Sequence, residues 1–185
     1  VSTVGQVHPY VEVKVVDPAT GLVLERGTPG ELCTRGYSVM LGYWEEPEKT
    51  AEAMDPARWM HTGDLAVMDD EGYLSIVGRI KDMVIRGGEN VYPVEVERAL
   101  YDHPAVKEAA VVGVPDPRWG EVGAAFVVLR EPLAAEALRA FLKARLAGYK
   151  VPKHLIFLEE LPKTGPGKVQ KEALKRLWEE QHGQA

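Results

Sequence analysis

Apolar and polar residues alternate in short runs over the first 80 positions, and turn residues separate the runs. Such alternation is typical of strands that bury one face. The clearest runs are residues 10–16 (YVEVKVV) and 30–35 (GELCTR), with a turn predicted over 17–21 (DPATG). Residues 47–53 (PEKTAEA) predict a short helix with mixed charges. Several short strands with turns between them predict a small barrel or a meander.

The pattern changes near Lys81, where longer apolar runs and helical spacing replace the alternation. The elements predicted beyond this point are helices over residues 93–103, 133–146 and 171–180, and strands over 106–114, 124–129 and 155–158. The fold class is therefore predicted to be α+β. A small, barrel-like, β-rich subdomain over residues 1–80 is expected to precede a compact α+β domain over residues 81–185.

Composition and charge narrow the functional classes. The formal net charge of −6 argues against a nucleic-acid or anionic-membrane surface, so a phosphate site must be built locally from a few cations and backbone N–H groups. The single cysteine, Cys33, is expected to be a buried small hydrophobe, which fits a reducing, cytoplasmic setting. No apolar run approaches membrane-spanning length, and no metal site is expected. Because the sequence opens at Val1 in mid-pattern, a fragment of a longer protein is expected.

Residues 78–97 (GRIKDMVIRGGENVYPVEVE) carry the first candidate chemistry. The segment leaves a strand, passes Arg79 and Lys81, reaches the glycine pair 87–88, and enters a helix at Pro93, which suits a first helical turn. Local chemistry leaves two interpretations open. The segment is either a solvated hairpin, or an anion-binding joint in which the cations are donors and the glycines let a ligand approach the backbone.

Residues 59–65 (WMHTGDL) carry the second candidate. A hydroxyl residue, a glycine and Asp64 predict a tight turn that leaves the carboxylate oxygens free. An ordinary Asx-turn would have this composition. A carboxylate placed in this way can also accept both hydroxyls of a ribose diol.

Taken in order, these segments resemble one family, the adenylate-forming acyl-CoA synthetases. The motifs that carry the resemblance are Gly30-Glu31-Leu32, Gly42-Tyr43-Trp44, His61-Thr62-Gly63-Asp64, Gly78-Arg79-Ile80-Lys81-Asp82, Gly87-Gly88-Glu89-Asn90, Pro162-Lys163-Thr164 and Gly167-Lys168. The resemblance covers nearly the whole chain, although Gly165-Pro166 replaces the family's usual small polar pair. It implies the last subdomain of the family's large N-terminal domain, followed by a mobile C-terminal lid. The family's phosphate loop and acyl pocket are missing, so Mg²⁺ is expected at the missing N-terminal domain, on which the lid packs.

The resemblance also implies site residues. Asp64 would bind the ribose hydroxyls of ATP or AMP, and Arg79 would reinforce that contact. Lys168 would be the catalytic residue, bridging the acyl carboxylate and the α-phosphate, a role that suits a point charge on a flexible stem. Lys81 would be the hinge.

Rotation at the hinge would exchange two faces of the lid. One face presents the catalytic lysine, and the other presents a turn that lines the pantetheine channel of coenzyme A. The residues implied for the turn and the coenzyme A surface are Gly87, Gly88, Glu89, Trp119, Tyr149, Lys150 and Lys153. For the last four, packing of the aromatic rings and solvation of the lysines are equally acceptable interpretations.

The implied reaction joins a small-molecule carboxylic acid to coenzyme A at the expense of ATP, with AMP and pyrophosphate as the other products. A fatty or aromatic acid is expected, and the isolated polypeptide is expected to be inactive. Two alternatives stay open: a carrier-protein-loading adenylation domain, and a non-catalytic lid module that binds a nucleotide or a partner.

Overall fold

A computed structural model describes residues 3–182 of the chain, which divides into two compact units. The first unit ends at Lys81 and the second begins at Asp82. A single 3-10 turn, Ile80–Asp82, contains this boundary. The α+β class is confirmed, whereas the assignment of residues 1–80 and 81–185 to two domains of a larger enzyme remains a prediction.

The first unit is an antiparallel sheet with one helix. Its elements are β1 (Gly5–Gln6), β2 (Val11–Val16), β3 (Gly30–Gly36), α1 (Pro47–Ala53), β4 (Met60–Met68) and β5 (Tyr73–Arg79). The strand order is β1-β5-β4-β3-β2, so strands β2 to β5 form a meander. The barrel-like arrangement is corrected to an open sheet over the described residues. The two-residue β1 lies at one edge and β2 at the other. Because β1 is so short, it can form few of the hydrogen bonds that would close the sheet into a barrel.

The alternating pattern of the first unit gives its sheet one apolar face. Val15, Ala66 and Leu74 are the buried centre of this face. The partly buried side chains around them are Val13, Leu24, Leu32, Met68 and Ile76. Cys33, which points to the opposite face of β3 from Leu32, is fully buried, as predicted.

The second unit is a sheet with helices on both faces. Its elements are β6 (Val84–Arg86), β7 (Glu89–Val91), α2 (Pro93–Tyr101), β8 (Val106–Asp116), β9 (Gly120–Leu129), α3 (Ala135–Lys143), β10 (His154–Phe157) and α4 (Lys171–His182). Strand β9 pairs with β8, β6 and β10, and only the β10 pairing is parallel. Side chains from α2 and α3 join one buried cluster, and side chains from α4 join another.

These two clusters explain the continuous apolar runs of β8 and β9. Successive side chains of a strand point to opposite faces, so a sheet covered on both faces needs apolar residues at every position. Val111 and Val127 accordingly belong to the cluster under α2 and α3, whereas Val112 and Phe126 belong to the cluster under α4. None of the helices in residues 3–182 is long and apolar enough to cross a bilayer.

Candidate functional site

Asp64 lies within β4 rather than in the predicted tight turn, because the strand continues on both sides of it. It stands opposite Arg79 of β5, whose Nε donates a hydrogen bond of 2.9 Å to the Asp64 Oδ1. The two side chains are 30% and 47% exposed, so this ion pair contributes at most about 1 kcal/mol to stability. Its main effect is to orient the carboxylate, which stays open to solvent. The structure thus brings the two predicted ribose residues together.

Lys168 lies on a hairpin-like turn that is braced internally. The Thr164 N–H donates to the Lys168 carbonyl (2.8 Å), and the Gly167 N–H donates to the Thr164 carbonyl (2.8 Å). Gly167 has a φ of +86°, which only glycine adopts without strain. Lys163, at the base of the turn, forms an ion pair with Glu108 of β8. The turn therefore holds the Lys168 backbone while its side chain stays exposed.

The turn leads directly into α4 through Lys171, whose Nζ lies 3.0 Å from Glu97 Oε1 and 3.8 Å from Asp82 Oδ2. Glu97 Oε1 also accepts the Val111 N–H (2.9 Å), so one carboxylate links α2, α4 and β8. Asp82 directly follows the predicted hinge, Lys81, which lies exposed in the 3-10 turn.

The glycine pair forms the two-residue turn of the β6–β7 hairpin. Gly87 and Gly88 have φ values of +59° and +90°, and positive φ at both central residues is typical of a type I′ hairpin turn. The Gly87 N–H donates to the Trp119 carbonyl (2.8 Å). A Cβ at position 87 would lie 2.7 Å from Trp119 Cε3, whereas a Cβ at position 88 would meet nothing within 4 Å. Gly88 and its neighbour Glu89 therefore face open space.

Arg86 contacts two of the predicted coenzyme A residues, Trp119 and Tyr149, although the sequence did not single it out. Its guanidinium carbon lies 5.5 Å from the centroid of the Trp119 ring, and its Nη1 donates to the Tyr149 carbonyl (2.6 Å). Trp119 is 37% exposed and Tyr149 39% exposed, so both rings are partly available at the surface. The available signal was the position of Arg86, a cation immediately before the glycine pair.

The two predicted coenzyme A lysines already hold carboxylates. Lys150 donates to both oxygens of Glu95 at 2.7 and 2.8 Å, and this hydrogen bond raises the pKa of Lys150. Lys153 donates to Asp116, and this hydrogen bond lowers the pKa of the Asp116 carboxyl to about 2. Lys168 differs from both, because it forms no ion pair within the part of the chain that the structure describes.

Two family models match the chain. The model of the AMP-binding enzyme C-terminal domain matches residues 95–168, and the model of the AMP-binding enzyme matches residues 1–44. The chain belongs to the AMP-binding enzyme family. It spans about a third of the length of the curated relatives it matches, 32% of one and 29% of another.

Members of this family with known structures or functions are similar over nearly the whole chain. A mitochondrial medium-chain acyl-CoA ligase, ACSF2 of Bos taurus, is 48% identical over 180 residues, which are 96% of this chain and 29% of that protein. ATP-bound MatB from Rhodopseudomonas palustris is 39% identical with a TM-score of 0.92, over 98% of this chain and 36% of MatB. The o-succinylbenzoate CoA synthetase MenE of Bacillus subtilis, in complex with its acyl-adenylate intermediate, is 37% identical with a TM-score of 0.88, over 94% of this chain and 35% of MenE.

Proposed function

We propose that the chain is the C-terminal portion of an ATP-dependent acid–CoA ligase. In the first step a carboxylate attacks the α-phosphorus of ATP, forming an acyl-adenylate and releasing pyrophosphate. In the second step the thiol of coenzyme A attacks the acyl carbon and AMP leaves. The acyl-CoA ligase and CoA synthetase functions of the relatives support this reaction. Residues outside this chain would supply the Mg²⁺ site and the acyl pocket, and the chain alone would be inactive.

One observation carries the assignment of Lys168. It is an exposed ammonium on a braced turn, whereas Lys150, Lys153 and Lys163 are each held by a carboxylate. An unpaired cation is free to follow the charge that develops on a transferring phosphoryl group, and the loss of such a donor costs about 10²–10³ in rate. In this proposal Lys168 serves adenylation, and Asp64 with Arg79 binds the ribose.

The exposed Gly88 supports a second working face. A side chain there would carry the backbone cost of a φ of +90°, but it would project into space that no described atom occupies, where it would obstruct an incoming ligand. We place the pantetheine arm of coenzyme A against the turn of Gly87, Gly88 and Glu89, with Trp119 and Tyr149 beside it. Rotation about Lys81 would present this face and the Lys168 face in turn.

The test compares the two half-reactions in the complete enzyme that carries this chain. Lys168→Ala should abolish adenylation and spare thioester formation from preformed acyl-adenylate, whereas Gly88→Leu should do the reverse. Equal losses in both half-reactions for both variants would contradict the two-faced lid. Offering coenzyme A against a phosphopantetheinyl carrier protein identifies the acceptor, and a preference for the carrier would favour the adenylation-domain alternative. Pyrophosphate exchange into ATP by the purified 185-residue chain alone would show that it is not the inactive portion proposed here.

A further inference from the structure

The pairing of β3 with β4 is interrupted at one place, directly before Asp64. Glu31 pairs with Leu65 and Cys33 pairs with His61, so the single residue Leu32 faces residues 62–64 of the opposite strand. Two extra residues therefore bulge out of β4, and Gly63 within the bulge has a φ of +70°. Bulges redirect side chains near functional sites. This bulge determines where the Asp64 carboxylate points.

Strand β3 holds the bulge through a small set of hydrogen bonds. The Gly63 N–H donates to Glu31 Oε1 (3.2 Å), and the Thr62 hydroxyl donates to the Leu32 carbonyl (2.7 Å). The Asp64 N–H donates back to the Thr62 hydroxyl (3.1 Å). Three consecutive residues of the bulge are thus fixed by contacts that begin at Glu31 and Leu32.

Glu31 is one of two buried charged side chains among the described residues, and its side chain is only 11% exposed. Its second oxygen lies 2.7 Å from His61 Nδ1. This contact is a hydrogen bond between the Glu31 carboxyl group and the His61 imidazole ring. A buried carboxylate is costly unless its oxygens are bonded, and Glu31 meets this condition at both oxygens, which bond Gly63 and His61.

The same side chains could instead bind a metal ion, because ligand atoms of Glu31, Cys33 and His61 lie within 4.8 Å of one another. The 2.7 Å contact between Glu31 and His61 is a hydrogen-bond length. Two ligands each about 2.0 Å from a tetrahedral zinc ion would be separated by about 3.3 Å. The geometry favours a hydrogen-bonded clamp.

We propose that Glu31 is a positioning residue for nucleotide binding, which acts through Gly63 and His61 to aim Asp64 at the ribose. The inference rests on the proposed function, in which Asp64 accepts the ribose hydroxyls. Glu31 itself does not touch the nucleotide. Its removal leaves the Gly63 N–H unpaired and frees the bulge, while the Asp64 side chain and its Arg79 partner remain in the sequence.

The test measures kcat and KM for ATP in the complete enzyme. Glu31→Ala should raise the KM for ATP about tenfold, which is a loss of about 1.4 kcal/mol in binding, because the freed bulge no longer holds the Asp64 carboxylate toward the ribose. The kcat should change less than about twofold, because ribose binding is used equally in the ground and transition states. Glu31→Gln should restore most of the affinity, since its amide oxygen can still accept the Gly63 N–H. Glu12→Ala, which removes an exposed carboxylate of β2 in the same unit, is the matched control.

A nucleotide without the ribose hydroxyls shows whether Glu31 positions Asp64 for ribose binding or only stabilises the fold. With 2′,3′-dideoxy-ATP, Glu31→Ala should cause no additional loss, whereas equal increases in KM for both nucleotides would overturn the inference. If Glu31→Ala does not fold, Thr62→Val removes the other bulge contacts without a buried charge and should show the same dependence on the hydroxyls. An increase for Asp64→Ala but not for Glu31→Ala or Thr62→Val refutes only the positioning role. No increase for Asp64→Ala refutes the proposed ribose site itself.

Discussion

Gly87→Ala tests how tightly the glycine turn is fitted against Trp119. The new methyl group would lie 2.7 Å from Trp119 Cε3 and 3.2 Å from Cζ3, inside the normal separation of about 3.5–4.0 Å for two carbons. The indole is at the surface and can move, but it would leave the guanidinium groups of Arg86 and Arg118, whose carbons lie 5.5 and 4.8 Å from its centroid. The substitution therefore disturbs both the backbone and the ring.

The expected destabilisation has two parts. Positive φ at a residue with a side chain costs about 1–2 kcal/mol, and the loss of two exposed cation–π contacts costs about 1–2 kcal/mol more. Gly87→Ala should thus lower the free energy of unfolding of the second unit by about 2–4 kcal/mol. Gly88→Ala is the control, because its Cβ meets no atom within 4 Å, and only the backbone cost of about 1–2 kcal/mol applies.

A double-mutant cycle isolates the contact. In a Trp119→Ala background, Gly87→Ala should cost only the backbone part, which leaves a coupling energy of about 1–2 kcal/mol. Urea unfolding read by hydrogen exchange of the β8 and β9 amides reports on the second unit without relying on tryptophan fluorescence. The reasoning is refuted if Gly87→Ala costs the same in both backgrounds, or if Gly88→Ala proves as damaging as Gly87→Ala.

Three further predictions concern single side chains. The Lys153 hydrogen bond lowers the pKa of the Asp116 carboxyl to about 2, below the value of about 3.9 in an unfolded chain, so the ionised carboxylate stabilises the fold fully above about pH 4 and this stabilisation is lost as pH falls through 2. Asp116→Asn should therefore lower the urea midpoint at pH 7 but not near pH 2. The same difference in midpoint at both pH values would contradict this prediction. Cys33 is fully buried, and burial raises the pKa of its thiol to about 11, so iodoacetamide at pH 8 should label it only in denaturant. Rapid labelling of the native chain would refute this prediction. Lys171→Met removes the contact with Glu97, which helps to hold the start of α4 beside Lys168, and should slow adenylation about tenfold more than thioester formation in the complete enzyme. Lys171→Arg, which keeps the charge, is the control. Equal slowing of both steps would argue against a role for Lys171 in placing Lys168.

The sequence predicted the start of a helix correctly where a single residue type determines that start. The helices begin at Pro47 and Pro93 as predicted, because proline fits the first turn, where its missing N–H is not needed. By contrast, β8 extends beyond the predicted strand of residues 106–114, through Pro115 to Asp116. Pro115 pairs with Glu121 and is exposed, and a pairing with a residue on the following strand is not visible in the local sequence.

The candidate site shows the same division. Asp64 and Arg79 were predicted separately from their motifs, and the structure places them opposite each other. The bulge before Asp64 looked like a tight turn, since Thr62 and Gly63 are turn residues, and only the long-range register of β3 shows that the strand continues. Glu31 was not selected as a site residue. Its signal was a charge two positions from Cys33 in an alternating strand, which places it on the same buried face.

The attachment of Lys168 has a practical consequence for testing the proposed rotation of the second unit. Two residues separate this lysine from α4, whose Leu174 and Trp178 are embedded in the core of the second unit. The tip of the turn is therefore expected to move together with the second unit rather than separately from it. A spectroscopic label at an exposed position of α4, such as Arg176, would report the orientation of the entire second unit and could therefore test the proposed rotation about Lys81 while leaving Lys168 unmodified.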